Sequence, residues 1–274
     1  MTDENIDPPE GLYSAGDFPQ SPPVDQIAFG TGWEELDQIF KMYPGQFVVV
    51  TGIAGHGKST FLLNVVTRIA LREGKRSFLY VPENERHIQS ILARVWPSTP
   101  AALQYFLDAQ CWIQSQSHQY AEQDYQTLDW VLEKAMYAVQ NCGVEVLLID
   151  PWNELERLCP KNMLMTEYIG LCLRDLKAFA RTFNVTVFLV AHPTKAVNEG
   201  GGRMPTLADI EGSMNWYNKC GNGLIVHREP NENRTCVVSA KVREIGAGER
   251  GKCWFEVNPK TGVFKPAEEQ HVPL

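Results

Sequence analysis

Gln46-Phe47-Val48-Val49-Val50-Thr51, running directly into Gly52-Ile53-Ala54-Gly55-His56-Gly57-Lys58-Ser59-Thr60, is the stretch that decides the reading of this chain. The first six residues are a β-branched apolar run bounded by Pro44-Gly45 and Gly52, which suits a strand buried on both faces of a parallel sheet. The residues from Gly52 to Ser59 match G-x-x-x-x-G-K-[ST], and from Lys58 to about Arg72 the spacing predicts a helix ended by Gly74. A strand, a glycine loop and a helix in that order can cradle phosphate. The glycines let consecutive N–H groups converge on one anion, and the helix N-terminus adds about half a positive charge. Gly52, Ala54, Gly55, His56, Gly57 and Thr60 would then line the phosphates of ATP or another nucleoside triphosphate. Lys58 would meet the β- and γ-phosphates, and the Ser59 hydroxyl would ligate Mg²⁺.

Working outward, Ser77–Val81, Val144–Ile149 and Val185–Val190 read as further buried strands. A helix with the apolar stripe Ile169, Leu173, Leu176, Ala180 lies between the last two. This alternation predicts an α/β fold, a mainly parallel twisted sheet with helices on both faces. From Gly223 the texture changes to Leu224–Arg228, Cys236–Arg243 and Cys253–Asn258, closed by Asn258-Pro259-Lys260-Thr261-Gly262, so an antiparallel C-terminal flank is expected. The Gln-rich stretch 96–129 predicts one or two surface helices around Leu103–Ile113. Parallel strands put their carboxyl ends on one edge, which gathers three more polar residues beside the loop. Asp150, closing Val144–Ile149, is the natural second Mg²⁺ ligand. Glu83 can orient an attacking water or be a solvated loop charge, and His192 can sense a γ-phosphate or be structural.

The sequence has 274 residues, enough for one large domain, and a formal charge of −8, which argues against coating nucleic acid by bulk electrostatics. Any nucleic-acid contact must be focused. The seven cysteines form no C-x-x-C pair and lack the density of a disulfide scaffold, so free thiols in a reducing cytosol are expected. No apolar run reaches membrane-span length and the Pro-rich start has no signal-peptide character, so a soluble cytoplasmic protein is expected. Residues 1–28 read as a flexible Pro-rich arm, 29–266 as the domain and 267–274 as a tail. At Thr31 a capping box, with Thr31 as N-cap and Glu34 three residues on, predicts the short helix Trp33–Phe40.

Thr31-Gly32-Trp33 with Leu36-Asp37, Pro44-Gly45, the phosphate loop, Pro82-Glu83-Asn84, Leu148-Ile149-Asp150-Pro151-Trp152-Asn153, Ala191-His192-Pro193, Gly212-Ser213 with Trp216 and Asn218-Lys219, and Lys241-Val242-Arg243 occur here in one order. In these marks the chain resembles the RecA-like ATPase domain of DnaB-type replicative helicases, most of all phage primase-helicases and mitochondrial Twinkle, from about Gly11 to Phe264. The resemblance implies that Glu83 is the catalytic carboxylate and His192 the γ-phosphate sensor. It implies that Lys241 and Arg243, one residue apart on a late strand, reach a neighbouring subunit's nucleotide as an arginine finger in a ring of six. Arg228 would pack beside the nucleotide base, while Val257 stands where relatives often hold an aromatic. Pro193–Lys219 corresponds to pore-facing DNA loops, with Lys195, Arg203 and Lys219 as its cations and single-stranded DNA as the ligand.

The sequence as given carries no primase or zinc-binding segment ahead of the ATPase. Its Gly11–Pro23 arm resembles a shortened form of the family's interdomain linker, which in relatives packs on the next subunit. Taken together, the resemblance implies an ATP-dependent, phage-encoded replicative helicase of the host cytoplasm moving 5′ to 3′, with a separate primase or polymerase as partner. The alternatives are a RecA- or RadA-like recombinase forming filaments, and an ATP-binding loader or regulator of another helicase.

Overall fold

The structure, a computed structural model, describes residues 11–115, 126–194, 197, 203–212, 214–229, 234–268 and 272–273. Its centre is β1 (Phe47–Thr51), flanked by β5 (Thr186–Val190) on one side and β6 (Asn222–Arg228) on the other, both parallel to it. Beyond β5 come β4 (Val146–Ile149), β2 (Ser77–Tyr80) and β3 (Cys111–Ile113), all parallel. Beyond β6 the sheet turns antiparallel through β7 (Arg234–Lys241), β8 (Gly251–Val257), β9 (Phe264–Pro266) and β10 (Val272–Pro273). The strand order is β10-β8-β7-β6-β1-β5-β4-β2-β3, with β9 paired to β8. Because β10 pairs with β8, the sheet reaches into the segment expected to be a tail.

Alternation along each central strand divides the core in two. Val48 and Val50 of β1 face the cluster built on α3 (Lys58–Glu73), together with α2 (Glu34–Ile39), α4 (Ile88–Val95) and α5 (Pro100–Ala109). Phe47 and Val49 face the other cluster, built on α6 (Leu128–Cys142), α7 (Met165–Phe183) and α8 (Asn215–Lys219). Successive side chains on a strand point to opposite faces, so a strand apolar at every position requires helices on both sides. The stripe Ile169, Leu173, Leu176 and Ala180 of α7 is buried there as expected. α1 (Val24–Ile27) precedes the domain, and Phe29 bridges Met42.

Several expectations need correction. Within 96–129 the structure has α5 and then β3, a parallel edge strand on β2, where only surface helices were expected. Thr31 is no N-cap for Glu34. Asp37 reaches back instead, its Oδ1 accepting the Thr31 N–H and hydroxyl and its Oδ2 the Gly32 N–H, so Trp33 becomes the cap residue of a shorter helix. That arrangement places Thr31 and Gly32 carbonyls as acceptors for Arg68 of α3, whose guanidinium lies 4.6 Å over the Trp33 ring. Finally, β7 ends at Lys241, so Arg243 lies past the strand. All seven cysteines are free thiols.

Candidate nucleotide site

The phosphate loop leaves β1 at Gly52 and enters α3 at Lys58. Its three glycines all have positive φ, Gly52 at 155°, Gly55 at 78° and Gly57 at 89°, a conformation that costs other residues. Gly52 is required for a further reason: a Cβ there would lie 2.1 Å from the Val226 carbonyl oxygen of β6. Among the described residues no side chain caps α3, so its first-turn amides are left for an anion. Lys58 is buried, and its ammonium donates to the Gly52 and Ile53 carbonyls. Desolvation lowers its pKa, opposed by the negative charges of Asp150 and Glu83.

Asp150 closes β4 almost fully buried. Desolvation pushes its carboxyl up to about 6, against a hydrogen bond from Ser59 and the charge of Lys58. Its Oδ2 is a buried oxygen without a partner among the described residues. A hydroxyl and an orphaned carboxylate oxygen side by side are hard oxygen donors, the set Mg²⁺ takes. Among the described residues no group of three or more His, Cys, Asp or Glu could hold a metal ion, so a cation here would be held by Ser59, Asp150 and the nucleotide's own oxygens.

Glu83 follows β2 in the 3-10 turn Pro82–His87 and is exposed. Its pKa is nevertheless raised, by desolvation and then by Glu154, with Lys58 opposing. His192 follows β5, where burial and the charge of Lys58 hold its pKa down at about 4. Its ring Nδ1 is buried without a partner among the described residues, and its amide donates to the Asn153 side-chain oxygen at 3.4 Å. The Arg228 guanidinium, at the end of β6, comes within 4.0 Å of where a Gly57 Cβ would stand. Lys58, Ser59, Glu83, Asp150, His192 and Arg228 therefore share the carboxyl edge of the parallel strands. Val257 does not line this edge openly; it is buried with Phe61 and Phe255 in the core, and an aromatic beside the loop is Phe264, 3.7 Å from the Gly57 Cβ position.

Lys241 and Arg243 sit elsewhere. Arg228 pairs with Thr235 at one end of β7 and Gly223 with Lys241 at the other, a separation of about 20 Å at ~3.3 Å per residue. There the Lys241 ammonium donates to the Tyr217 carbonyl and lies 4.8 Å from the Tyr217 ring centroid, and Arg243 donates to the Asn218 carbonyl at 3.1 Å. Lys177 and Arg181 of α7 join this patch: burial comes first in lowering the Lys177 pKa, and the charges of Arg181, Arg243 and Lys241 add to it. Of the three cations expected to face DNA, Arg203 forks onto Asp209 at 2.8 and 3.1 Å and Lys219 donates to the Gly170 carbonyl at 2.7 Å. Lys195 lies outside the described residues. A cavity of about 550 Å³ lined by Glu34, Asp37, Gln38, Lys41, Gly246, Gly248 and Glu249 touches none of the phosphate-site residues.

Four residues near the site escape a reading of the sequence. Asn64 of α3 donates to the Gly262 carbonyl and accepts from the Phe264 amide, tying the Asn258–Gly262 turn to the helix that follows the phosphate loop. A polar residue on the apolar face of α3, beside Phe61 and Val65, was the available signal. Asn153 and Glu154 meet His192 and Glu83 only through tertiary folding. His227, buried at 5% exposure, lies with its ring centroid 4.9 Å from that of His56.

The AAA domain family matches residues 24–198 of this chain. The chain is similar to the Twinkle homolog protein, chloroplastic/mitochondrial, of Arabidopsis thaliana, at 31% identity over 265 residues. That match covers 87% of this chain, which spans only 36% of the relative's length. In fold it is similar to a solved ATPase domain, with a TM-score of 0.70 at 20% identity, covering 87% of this chain and 91% of that one. It is also similar to a DnaB-like replicative helicase whose structure was described with its interactions with primase. There the TM-score is 0.69 at 19% identity, covering 87% of this chain and 63% of that one.

Proposed function

The chain belongs to the AAA domain family, with the RecA-like fold of DnaB-type helicase ATPase domains, and from that premise we propose that it is the motor of an ATP-dependent replicative DNA helicase. In this reading copies of the chain assemble into a hexameric ring around single-stranded DNA and hydrolyse ATP where subunits meet, moving 5′ to 3′. The relatives that support it are a Twinkle homolog, a DnaB-like replicative helicase and a solved ATPase domain of the same fold. Because the chain spans about a third of the Twinkle homolog, a primase or polymerase partner, a phage source and action in the host cytoplasm belong to the proposal as well.

One observation carries the reading. The anion-binding edge holds Lys58, Asp150, Glu83, His192 and Arg228, while Lys241 and Arg243 stand at the far end of β7, about 20 Å from the Arg228 end of that strand. Directed to the far end of the strand and held there by the Tyr217 and Asn218 carbonyls, they are better placed to serve another copy's phosphates than their own. Lys58 would neutralise β- and γ-phosphate oxygens. Ser59 and Asp150 would hold Mg²⁺, which when bound draws charge from those oxygens. Glu83, made more basic by desolvation and by Glu154, would accept a proton from the attacking water or align it. His192, neutral at physiological pH, would offer or accept a hydrogen bond where the γ-phosphate leaves. In the DNA loops, Arg203 and Lys219 would exchange their present intramolecular partners for DNA phosphate.

The test is unwinding of a forked duplex and DNA-stimulated ATP turnover by the purified protein, with Lys58→Ala as the inactive control. Wild-type subunits are then mixed with Arg243→Ala subunits. A cation acting on the neighbour's nucleotide predicts loss steeper than simple dilution, since such a group can be worth roughly 10³-fold or more in turnover. A linear decline would remove the shared-site mechanism. Filaments in place of rings under the electron microscope would favour a recombinase, and absence of turnover a regulator.

A further inference from the structure

The phosphate loop is fastened to its neighbouring strand by a side chain, and that side chain is His56. Of residues 52–57, Gly-Ile-Ala-Gly-His-Gly, His56 alone carries a polar side chain. The Arg228 backbone amide donates to its Nδ1 at 3.0 Å. Accepting there requires the neutral tautomer with its proton on Nε2. The surroundings hold it neutral: burial first, then the positive charges that His227, Arg228 and Lys58 would add, keep the His56 pKa near about 4. The bond is therefore intact across the physiological range.

The end of β6 lines the loop from start to finish. Val226 presses its carbonyl on Gly52, the His227 ring lies 4.9 Å from that of His56, and the Arg228 guanidinium stands over Gly57. The first and last of these contacts are packing against glycine, which has no side chain to hold a partner in place. Among the described residues, the hydrogen bond at His56 is the one directional side-chain link between the loop that grips phosphate and the residue expected beside the base. Arg228 is the last residue of β6, and the strand's ladder with β7 ends one pair later, where the Glu229 amide donates to the Arg234 carbonyl. A terminal residue with a long flexible side chain needs such a tether to keep one place.

We propose that His56 is a positioning residue for nucleotide selection: by accepting the Arg228 amide hydrogen it fixes the base-side wall to the phosphate loop, so that affinity for the phosphates and discrimination among bases are set together. This rests on the nucleotide-site reading above and extends it to the choice of base. It assigns the loop's histidine a role separate from the backbone amides that hold phosphate.

The experiment compares wild type, His56→Ala, His56→Asn, Arg228→Ala and the double variant His56→Ala/Arg228→Ala. Binding of the fluorescent nucleotides mant-ATP and mant-CTP is measured alongside KM and kcat for ATP and CTP. Asn is the rescue, because its side-chain oxygen can take the same amide hydrogen at nearly the position of Nδ1. Losing one such bond predicts KM for ATP raised about tenfold in His56→Ala, with kcat changed far less. The ATP-to-CTP preference should shrink in His56→Ala and in Arg228→Ala, return toward wild type in His56→Asn, and be no smaller in the double variant than in Arg228→Ala. An unchanged preference in His56→Ala, or His56→Asn as impaired as His56→Ala, overturns the assignment. Should His56→Ala not fold, His56→Asn is compared with His56→Gln, whose amide sits one bond farther out: Asn outperforming Gln supports the assignment and equal values overturn it. Failure of wild type to bind mant-ATP would overturn the nucleotide-site reading itself, an outcome distinct from any His56 result.

Discussion

Replacing His192 by asparagine should make the protein less sensitive to acid, by an amount the structure bounds. His192 is half-buried and its pKa is held near about 4, against about 6.5 for an exposed histidine in the unfolded chain. The folded pKa is depressed, so between these values the unfolded chain binds the extra proton and the folded one does not. The stability at stake is therefore fully present above about pH 6.5 and is lost as pH falls through the window toward about 4. The full difference of roughly 2.5 pH units corresponds to at most about 3 kcal/mol, of which about 2 kcal/mol is already lost at pH 5. Solvent reaches part of the ring and screens its neighbours' charges, which brings the expected loss at pH 5 down to about 1 kcal/mol. Urea unfolding of wild type and His192→Asn at pH 7.5 and pH 5.0, without nucleotide, isolates this contribution, because every other titrating group is common to both. Wild type should lose about 1 kcal/mol more than the variant on that pH step. Equal losses, or a smaller loss in wild type, would mean that His192 is not held neutral by its surroundings, and the γ-phosphate role built on a neutral ring would fall with it.

Gly52→Ala and Gly55→Ala separate space from backbone conformation. A Cβ at Gly55 meets nothing within 4 Å and should cost only the left-handed strain of ~1–2 kcal/mol, whereas Gly52→Ala collides with the Val226 carbonyl and should cost ~1–3 kcal/mol beyond that; equal urea midpoints would refute the contact. Asp150→Asn keeps the shape of the side chain but removes its charge, and Mg²⁺-dependent ATP turnover should fall roughly a hundredfold. An unaltered dependence of rate on Mg²⁺ concentration would exclude Asp150 as a ligand. Asp37→Ala strands the Thr31 and Gly32 donors that the carboxylate satisfies and should lower unfolding stability by about 2–3 kcal/mol, read by chemical denaturation; a smaller effect than that of Glu34→Ala would restore the capping box first expected.

The centre of this fold was legible because its signals are local. A β-branched run, a glycine loop and a helix stopped by Gly74 each announce themselves within a few residues, and the carboxyl ends of parallel strands then bring Glu83, Asp150 and His192 to one edge. What was hidden depends on long-range pairing. β3 has three residues in a Gln-rich stretch, too few to display a period, and it is a strand only because β2 offers it an edge. The helix near Thr31 misled because two carboxylates were available, Glu34 and Asp37, and the one a turn farther on reached more donors. Nothing in the spacing of Asn153 and His192, or of Glu83 and Glu154, indicated that they would be neighbours. The role of Asn64 was masked by its position inside an otherwise apolar helix face.

The proposed phosphate edge and cation patch, at opposite ends of β7, constrain how copies could assemble. A twofold dimer that set each cation patch against the other copy's phosphate edge would complete two sites and then stop, whereas head-to-tail contacts extend from copy to copy. In the proposed ring the contacts are heterologous, each copy offering its Lys241 end to the next copy's phosphate end. In an open row one end is always left over, while closure leaves none, so turnover per subunit would itself report whether the row has closed.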